Sequence, residues 1–225
     1  HELSLKFGDG WSALGRFAWA KDFKMDDTRR TELDDQAERD ATERLDLLDL
    51  WVAKSFDIGD MPAKVKVGNQ VISWGEEIFV TGGINQINAL SLPKYHTPGT
   101  QLKEVFIPAP MASFNVGLTD TLNLEAYYQF KWNAYGLDPV GTYYSNTDVV
   151  GEGRQPIFYS TSYIDGLLGA GTCAASTPTG HCGDPLISGL DEATLVAAGL
   201  AAPYGGERAA KNSGQYGIAL RWTVE

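Results

Sequence analysis

The sequence has no long hydrophobic run and no excess of positive charge. No stretch approaches the roughly 18 consecutive apolar residues that indicate a membrane-spanning helix, although transmembrane strands leave a much weaker signal. Its 18 lysine and arginine residues stand against 29 aspartate and glutamate residues, which gives a net charge of −11. We therefore expect no nucleic-acid partner, because nothing supplies a cationic face for phosphates.

The sequence also lacks the motifs of common enzymes. Its histidines, His1, His96 and His181, are scattered, and the nucleophile motif G-x-S-x-G is absent. Its glycine turns are not followed by the lysine and serine or threonine of a phosphate-binding loop. Glu76 and Glu77 are adjacent and would point in opposite directions on a strand, which gives no support to a glycosidase pair. We expect neither an enzyme nor a bound cofactor.

Cysteine is nearly absent, and its two occurrences lie close together in "CAASTPTGHC". A disulfide between Cys173 and Cys182 would close a polar loop, which suits an oxidising compartment. The alternative is a metal site that also uses His181 and Asp184, but the spacing matches no common zinc pattern. The sequence favours the disulfide, and we predict no metal.

What the sequence has is alternation of apolar and polar residues. In "TLNLEAYYQFKWNA" (121–134) every second residue from Leu122 to Trp132 is apolar, and the others are polar or amphipathic. Six further segments alternate, with some ambiguity at the apolar start of the third: 2–7, 11–20, 48–57, 63–74, 112–118 and 215–224. Period-two patterning indicates strands that lie between two different environments.

The connections between these segments are alternately short and long. The short ones are 8–10, 58–62 and 119–120, and the long ones are about 21–44, 75–111 and 135–214. Outer-membrane barrels combine tight periplasmic turns with long extracellular loops, and their strands need about 9–11 residues to cross. We predict an all-β fold: an antiparallel transmembrane β-barrel with about seven strands here. Residues 1–225 would be a single region of a longer barrel, because both ends fall within a strand pattern. The alternative is a soluble β-sandwich with aromatic side chains in its core.

The long segments have different compositions. Segment 21–44 is densely charged, and we favour a solvated loop over a calcium site formed by Asp26, Asp27, Asp34 and Asp35, because no EF-hand spacing is present. Segment 75–111 is predicted either to tuck inward or to lie across neighbouring strands. In segment 135–214, "LDEATLVAAGLAAP" predicts a short helix that ends before Pro203.

The two registers assign side chains to two faces. Indole and phenol rings favour the headgroup level of a membrane. The rings at or near the predicted strand ends therefore predict an aromatic girdle, formed by Trp19, Trp51, Trp74, Tyr128, Trp132 and Trp222. The opposite register predicts lumen-facing side chains, namely Lys6, Arg16, Lys64, Lys66, Glu125, Lys131 and Arg221. These are mostly basic in an acidic chain, and rings of arginine and lysine favour anions in pores. The simpler alternative is that any wide polar lumen contains some charges.

Five blocks occur in order along the chain: "VGNQVISWGEEIFVTGGINQINALSL", "PGTQLKEVFIPAPM", "TLNLEAYYQFKW", "LDPVGTYYSNTDVVG" and "SGQYGIALRW". Together they resemble the proteobacterial outer-membrane family called "domain of unknown function 1302", over most of residues 45–160 and the end of the chain. The resemblance implies a large barrel in the outer membrane, with more strands than this chain contains. It also implies contact with outer-membrane lipid, partners in the periplasm or an export system, and the handling of hydrophobic compounds. No catalytic residue carries over from it.

The function we expect is a channel or transporter for hydrophobic or amphiphilic compounds, including anionic ones. The first alternative is a structural or interaction protein whose surface loops bind partners. The second is a soluble β-sandwich that acts as a binding module.

Overall fold

The computed structural model of the chain describes residues 1–24, 42–75, 87–147, 149–159 and 191–224, together with residues 38, 163 and 166. The chain forms two compact units. The first contains residues 1–146, 151–153 and 209–225, and the second contains residues 147–150 and 154–208. Among the described residues, no helix is both long enough and apolar enough to cross a membrane.

Strands make up most of the regular structure. In chain order they are β1 (Glu2–Lys6), β2 (Trp11–Lys21), β3 (Glu43–Ile58), β4 (Met61–Gln70), β5 (Ala89–Leu90), β6 (Phe106–Ile107), β7 (Ala109–Gly117), β8 (Leu122–Gln129), β9 (Ile157–Phe158), β10 (Ala201–Ala202) and β11 (Gln215–Trp222). The helices whose bounds lie within the described residues are α1 (Leu92–His96), α2 (Leu102–Val105) and α3 (Glu192–Ala197).

Seven of these strands form one antiparallel sheet, in the order β1-β2-β3-β4-β7-β8-β11. The short strands form two separate antiparallel pairs, β5 with β6 and β9 with β10. The prediction of a mostly β, antiparallel fold with seven long strands is therefore confirmed. Within the described part of the chain, β1 and β11 are the two edges of this sheet, which does not close on itself.

The short connections all lie at the same end of the sheet, because successive antiparallel strands alternate in direction and every second connection is short. The turn between β1 and β2 places Asp9 at φ 58° and Gly10 at φ 76°. A Cβ atom at Gly10 would lie 2.3 Å from Ser55 O, so glycine is required there for both conformation and space. The long segments leave from the opposite end of the sheet.

A β-bulge explains the ambiguous start of the third alternating segment. Arg16 pairs with Asp49, but the next residue, Phe17, pairs with Leu47, so Leu48 is the extra residue on β3. Leu48 is buried, with 2% of its surface exposed. The extra residue keeps Leu47 on the same face as Leu50 although their spacing is odd. Strand β3 starts at Glu43, earlier than the predicted segment, and its first residue pairs with Lys21.

Strand β8 is shorter than predicted and ends at Gln129 rather than near residue 134. Its neighbour β7 begins beside Pro108 and contains Pro110, and neither proline has an N–H group for the ladder. The last contacts are irregular: Phe130 N donates to Pro110 O (2.8 Å), and Asn133 Nδ2 donates to Pro108 O (3.0 Å).

The second unit contains the helix predicted near its end. Helix α3 begins after Asp191, whose carboxylate accepts a hydrogen bond from Thr194 N (2.7 Å). This cap satisfies a backbone donor that the first helical turn leaves free. Leu195, Leu200 and Ala201 form a small apolar core that also contacts Phe158.

Candidate functional site

The seven-stranded sheet has one face that is almost entirely apolar. Apolar residues on this face pair with apolar residues of the neighbouring strand, as in Val52↔Val67 and Leu124↔Leu220. Many of these side chains are exposed, including Leu45 (74%) and Ile218 (68%). We call this surface the apolar face; its exposed members include Leu3, Leu5, Phe17, Leu45, Leu47, Leu50, Val52, Val67, Ile218 and Leu220. Among the residues that the structure describes, the hydrophobic surface that a soluble sheet would bury is thus exposed.

Aromatic side chains stand near both ends of the apolar face. Trp19 and Tyr128 lie at the end from which the long segments leave, and Tyr128 pairs with Tyr216 on β11. Trp222 lies at the end with the short turns and is 72% exposed. The indole of Trp19 donates to Glu43 Oε1 (3.2 Å), so its apolar body and its polar edge have separate environments.

The opposite face of the sheet, which we call the polar face, receives most of the predicted lumen side chains. Lys6 and Arg16 lie on it through their pairing with Ser12 and Asp49. The pairings of the strands place a further group on this face: Lys64, Lys66, Glu125 and Arg221. Lys131 is different, because it follows the end of β8 and is exposed. Its backbone O accepts a hydrogen bond from Gln129 Nε2 (2.9 Å).

Two tryptophans that the sequence analysis assigned to the girdle lie on the polar face instead. Trp51 belongs to the register opposite Leu50 and Val52, and the Nζ atoms of Lys64 and Lys66 lie 5.9 Å and 5.2 Å from its ring centroid. Trp74 follows the end of β4, and its ring packs on Tyr127 with centroids 5.2 Å apart. Trp51 lies in the middle of β3 because the strand begins at Glu43, and the register, not the distance from a strand end, decides the face on which each ring lies. Trp132 follows β8 and is half-buried.

A cleft on the polar face collects the basic side chains. It has a volume of about 320 Å³, and the residues that line it come from β4, the segment after β4, β7, β8 and β11: Lys64, Lys66, Val71, Ile72, Ser73, Trp74, Ser113, Phe114, Asn115, Glu125, Ala126 and Arg221. We call it the basic cleft. Its charged members are three cations and one carboxylate, in a chain whose overall charge is strongly negative.

Hydrogen bonds fix the far side of the basic cleft. Arg221 Nε lies 3.4 Å from Glu125 Oε1, and Arg221 Nη2 donates to Ser73 O (3.0 Å). Asn115 Nδ2 also donates to Glu125 Oε1 (3.2 Å). The carboxylate of Glu125 is therefore in contact with one guanidinium and one amide donor, and the guanidinium of Arg221 links Glu125 to the backbone at Ser73.

A second group of hydrogen bonds, centred on Gln70, lies at the buried end of the cleft. Gln70 is fully buried; its Nε2 donates to Met111 O (3.0 Å), and its Oε1 accepts from Ser113 Oγ (3.0 Å). An apolar cluster lies beside it and contains Ile72, Ala109, Met111 and Tyr127, with Trp74 and Ile87 packed against it. This end of the polar face is therefore packed rather than open.

The segment that follows β4 covers part of the polar face. Asn88 bonds both backbone groups of Ile72, accepting from its N (3.2 Å) and donating to its O (2.5 Å). In α1, Lys94 Nζ lies 3.0 Å from Asp46 Oδ1 on β3. Of the two arrangements considered for segment 75–111, the described part packs onto the polar face and is anchored to the sheet by these contacts.

The structure also contains an ion pair away from the cleft that the sequence analysis did not single out as a pair. Arg16 Nη2 forms a short contact with Asp49 Oδ2, and both side chains are mostly buried. The pairing follows from the register, because Arg16 faces Asp49 directly across β2 and β3. Charge alternation alone could not reveal it, because the bulge at Leu48 shifts the pairing by one residue.

Other predicted sites lie outside the described residues. Cys173 and Cys182 are among them, as are the acidic residues 26, 27, 34 and 35, so the disulfide remains a prediction. Within the described ranges, no three histidine, cysteine, aspartate or glutamate side chains come close enough together to hold a metal ion.

Comparison with known proteins gives one match. The family model described as "Protein of unknown function (DUF1302)" matches residues 1–225. No curated protein and no solved structure matches the chain.

Proposed function

Because the chain belongs to the DUF1302 family of proteins of unknown function, we propose a function from its physical features. It is part of a β-barrel in the bacterial outer membrane that acts as a channel or transporter for hydrophobic or amphiphilic compounds, including anionic ones. The observation that supports this proposal most strongly is the distribution of side chains on the sheet. The apolar face is the more exposed one and the polar face is the more buried one, which is the reverse of a soluble protein.

The apolar face supports contact with lipid. Monomeric soluble proteins rarely expose contiguous apolar patches larger than a few hundred Å². Large side chains are exposed on both edge strands and on β3, for example Leu3, Leu50 and Ile218. Lipid tails would surround them at no hydrophobic cost, and the aromatic rings near both ends of the strands match the depth of the headgroups.

The polar face supports a hydrated or solute-lined interior. Its side chains are joined by ion pairs and amide hydrogen bonds, such as Arg16–Asp49 and Asn115–Glu125. A soluble sandwich would place this face toward water and the apolar face toward a second sheet. In the described part of the chain, side chains of the apolar face such as Leu45, Leu50 and Ile218 are more than half exposed.

Two measurements test the proposal. The natural protein should leave bacterial membranes only with detergent and remain behind in high salt or carbonate. Reconstituted in planar bilayers, it should conduct, and the reversal potential under a potassium chloride gradient should show a preference for chloride. Release by salt would contradict the membrane assignment, and a preference for potassium would remove the anionic part of the proposal.

A second function is favoured by one observation. The segment after β4 fills part of the polar face through Lys94–Asp46 and the contacts of Asn88. A barrel blocked in this way would serve as an anchor for surface loops that bind partners. Detergent-dependent extraction without conductance would support this anchor function over the channel.

A further inference from the structure

We propose that the basic cleft binds the carboxylate of an amphiphilic acid, with Lys64 and Lys66 on the anion and Trp74 against its carbon body. This inference deepens the proposed function and rests on it, because the cleft lies on the face assigned to the interior. It specifies the solute as a molecule with one anionic head and an apolar tail or ring.

The positive charge of the cleft is not neutralised by its own carboxylate. Glu125 is engaged by Arg221 (3.4 Å) and by Asn115 (3.2 Å). Within the described part of the chain, no carboxylate lies within 4.0 Å of the ammonium group of Lys64 or Lys66. An incoming anion would therefore meet two ammonium groups that form no ion pair within 4.0 Å among these residues, since Asp49 and Glu125 attract Lys66 only from a longer distance.

The two lysines are arranged to act on one ligand. They stand two residues apart on β4, so both side chains leave the same face of the sheet. Both ammonium groups lie over the ring of Trp51, at 5.9 Å and 5.2 Å from its centroid. The ring attracts both cations into one region, where their mutual repulsion would be relieved by a shared carboxylate.

An apolar wall lies next to the lysines. Trp74 lines the cleft and packs on Tyr127, which belongs to the cluster that includes Ile72 and Met111. A hydrophilic anion such as acetate would contact the lysines alone. A molecule with an aromatic or aliphatic body would also cover the Trp74 ring, and the volume of about 320 Å³ is at the lower end of ligand-pocket sizes.

Binding to the natural protein in lipid nanodiscs tests the inference, with isothermal titration calorimetry and three probes. The probes are 2-naphthoate, its neutral analogue 2-naphthamide, and acetate. We expect 2-naphthoate to bind at least about tenfold more tightly than either of the others, because only it has both head and body. Equal affinity for the acid and the amide would overturn the role of the lysines.

Variants distinguish binding in the basic cleft from a general electrostatic attraction between the protein and the anion. Lys64→Gln combined with Lys66→Gln should weaken 2-naphthoate binding about tenfold to a hundredfold, and the corresponding arginine pair should keep it within about threefold. Lys54→Gln is the matched control, because Lys54 also lies over a tryptophan ring, that of Trp11 (5.0 Å), but belongs to the apolar face. Unchanged binding in the glutamine pair, or an equal loss in the Lys54 control, would contradict the inference.

The outcomes distinguish this inference from the proposed function. If the protein conducts in bilayers but does not prefer the acid over the amide, the cleft assignment fails and the channel stands. If the protein is released by salt and binds 2-naphthoate in buffer through Lys64 and Lys66, the membrane function fails and the cleft stands.

Discussion

Gly217 on β11 leaves space for the ring of Trp74 across the polar face. A Cβ atom at position 217 would lie 2.7 Å from Trp74 Cη2 and 2.5 Å from Tyr127 Cε1. Both distances are shorter than ordinary contacts, so the two rings pack against the backbone of an edge strand. This contact joins the segment after β4 to the strand furthest along the chain.

Replacing Gly217 with alanine should therefore destabilise the protein. The methyl group must displace Trp74 or Tyr127, and over-packing of this kind costs about 1–3 kcal/mol. The free energy of unfolding, measured from urea titrations with tryptophan fluorescence, should fall by that amount. Gly8→Ala is the control, because nothing lies within 4 Å of its Cβ position. Equal stability of the two variants would show that Trp74 does not occupy this space.

A charged substitution on the apolar face should show whether this face contacts lipid or water. Ile218→Arg should destabilise the membrane-inserted protein by about 2–4 kcal/mol if the residue lies near the bilayer midplane. Ala219→Arg, one residue along β11 on the opposite face, should cost much less, because that side chain faces Glu125. Unfolding in lipid vesicles provides the measurement. Similar small effects for both variants would indicate that water contacts both faces.

The Arg16–Asp49 pair should contribute far more than an exposed pair. Arg16→Met leaves the mostly buried carboxylate of Asp49 without its partner, a change that costs about 3–5 kcal/mol. Lys21→Met breaks the exposed pair with Glu43 (3.8 Å) and should cost about 0–1 kcal/mol. Urea titrations compare the two variants. A double variant that also replaces Asp49 with leucine should recover part of the loss.

The cap of α3 should weaken in acid. The side-chain and backbone hydrogen bonds with Thr194 hold the pKa of Asp191 below its ordinary value. A carboxyl group with a lowered folded-state pKa adds stability above its unfolded pKa, about 3.9, and loses it as the pH falls through the folded-state pKa. The protection factor of the Thr194 amide, which is its exchange rate in an unstructured chain divided by the observed rate, should therefore fall in that acidic range. In Asp191→Asn, whose amide oxygen also caps but does not titrate, this acid-dependent loss of protection should be absent.

Period-two alternation predicted the sheet well because one register of each strand is nearly free of polar side chains. Leu124, Ala126 and Tyr128 were assigned to one face from the sequence, and their neighbours Ile218 and Leu220 belong to the same face in the structure. The three short turns were equally evident. These features depend on local sequence, which is why a single sequence reveals them.

The features that the sequence did not reveal depend on non-local pairing. The bulge at Leu48 becomes visible only when Arg16 and Asp49 are seen opposite each other. Trp51 lies near the start of the predicted segment 48–57, so its position suggested a girdle, whereas it lies in the middle of β3 and its register places its ring beneath Lys64 and Lys66. The lysines themselves were predicted for this face, but their shared ring on β3 and the cleft around them depend on the pairing of five strands, β3, β4, β7, β8 and β11.

The order of the connections has a consequence for how this chain folds and how it tolerates change. Each tight turn joins two strands into a hairpin that forms from nearby residues, whereas β8 ends at Gln129 and its partner β11 begins only at Gln215. The entropic cost of closing this long connection rises slowly with its length, since each doubling adds only about 0.6 kcal/mol. Insertions between β8 and β11 would lengthen this segment without changing the register of the paired strands, so the segment can acquire new residues while the sheet keeps its hydrogen bonds.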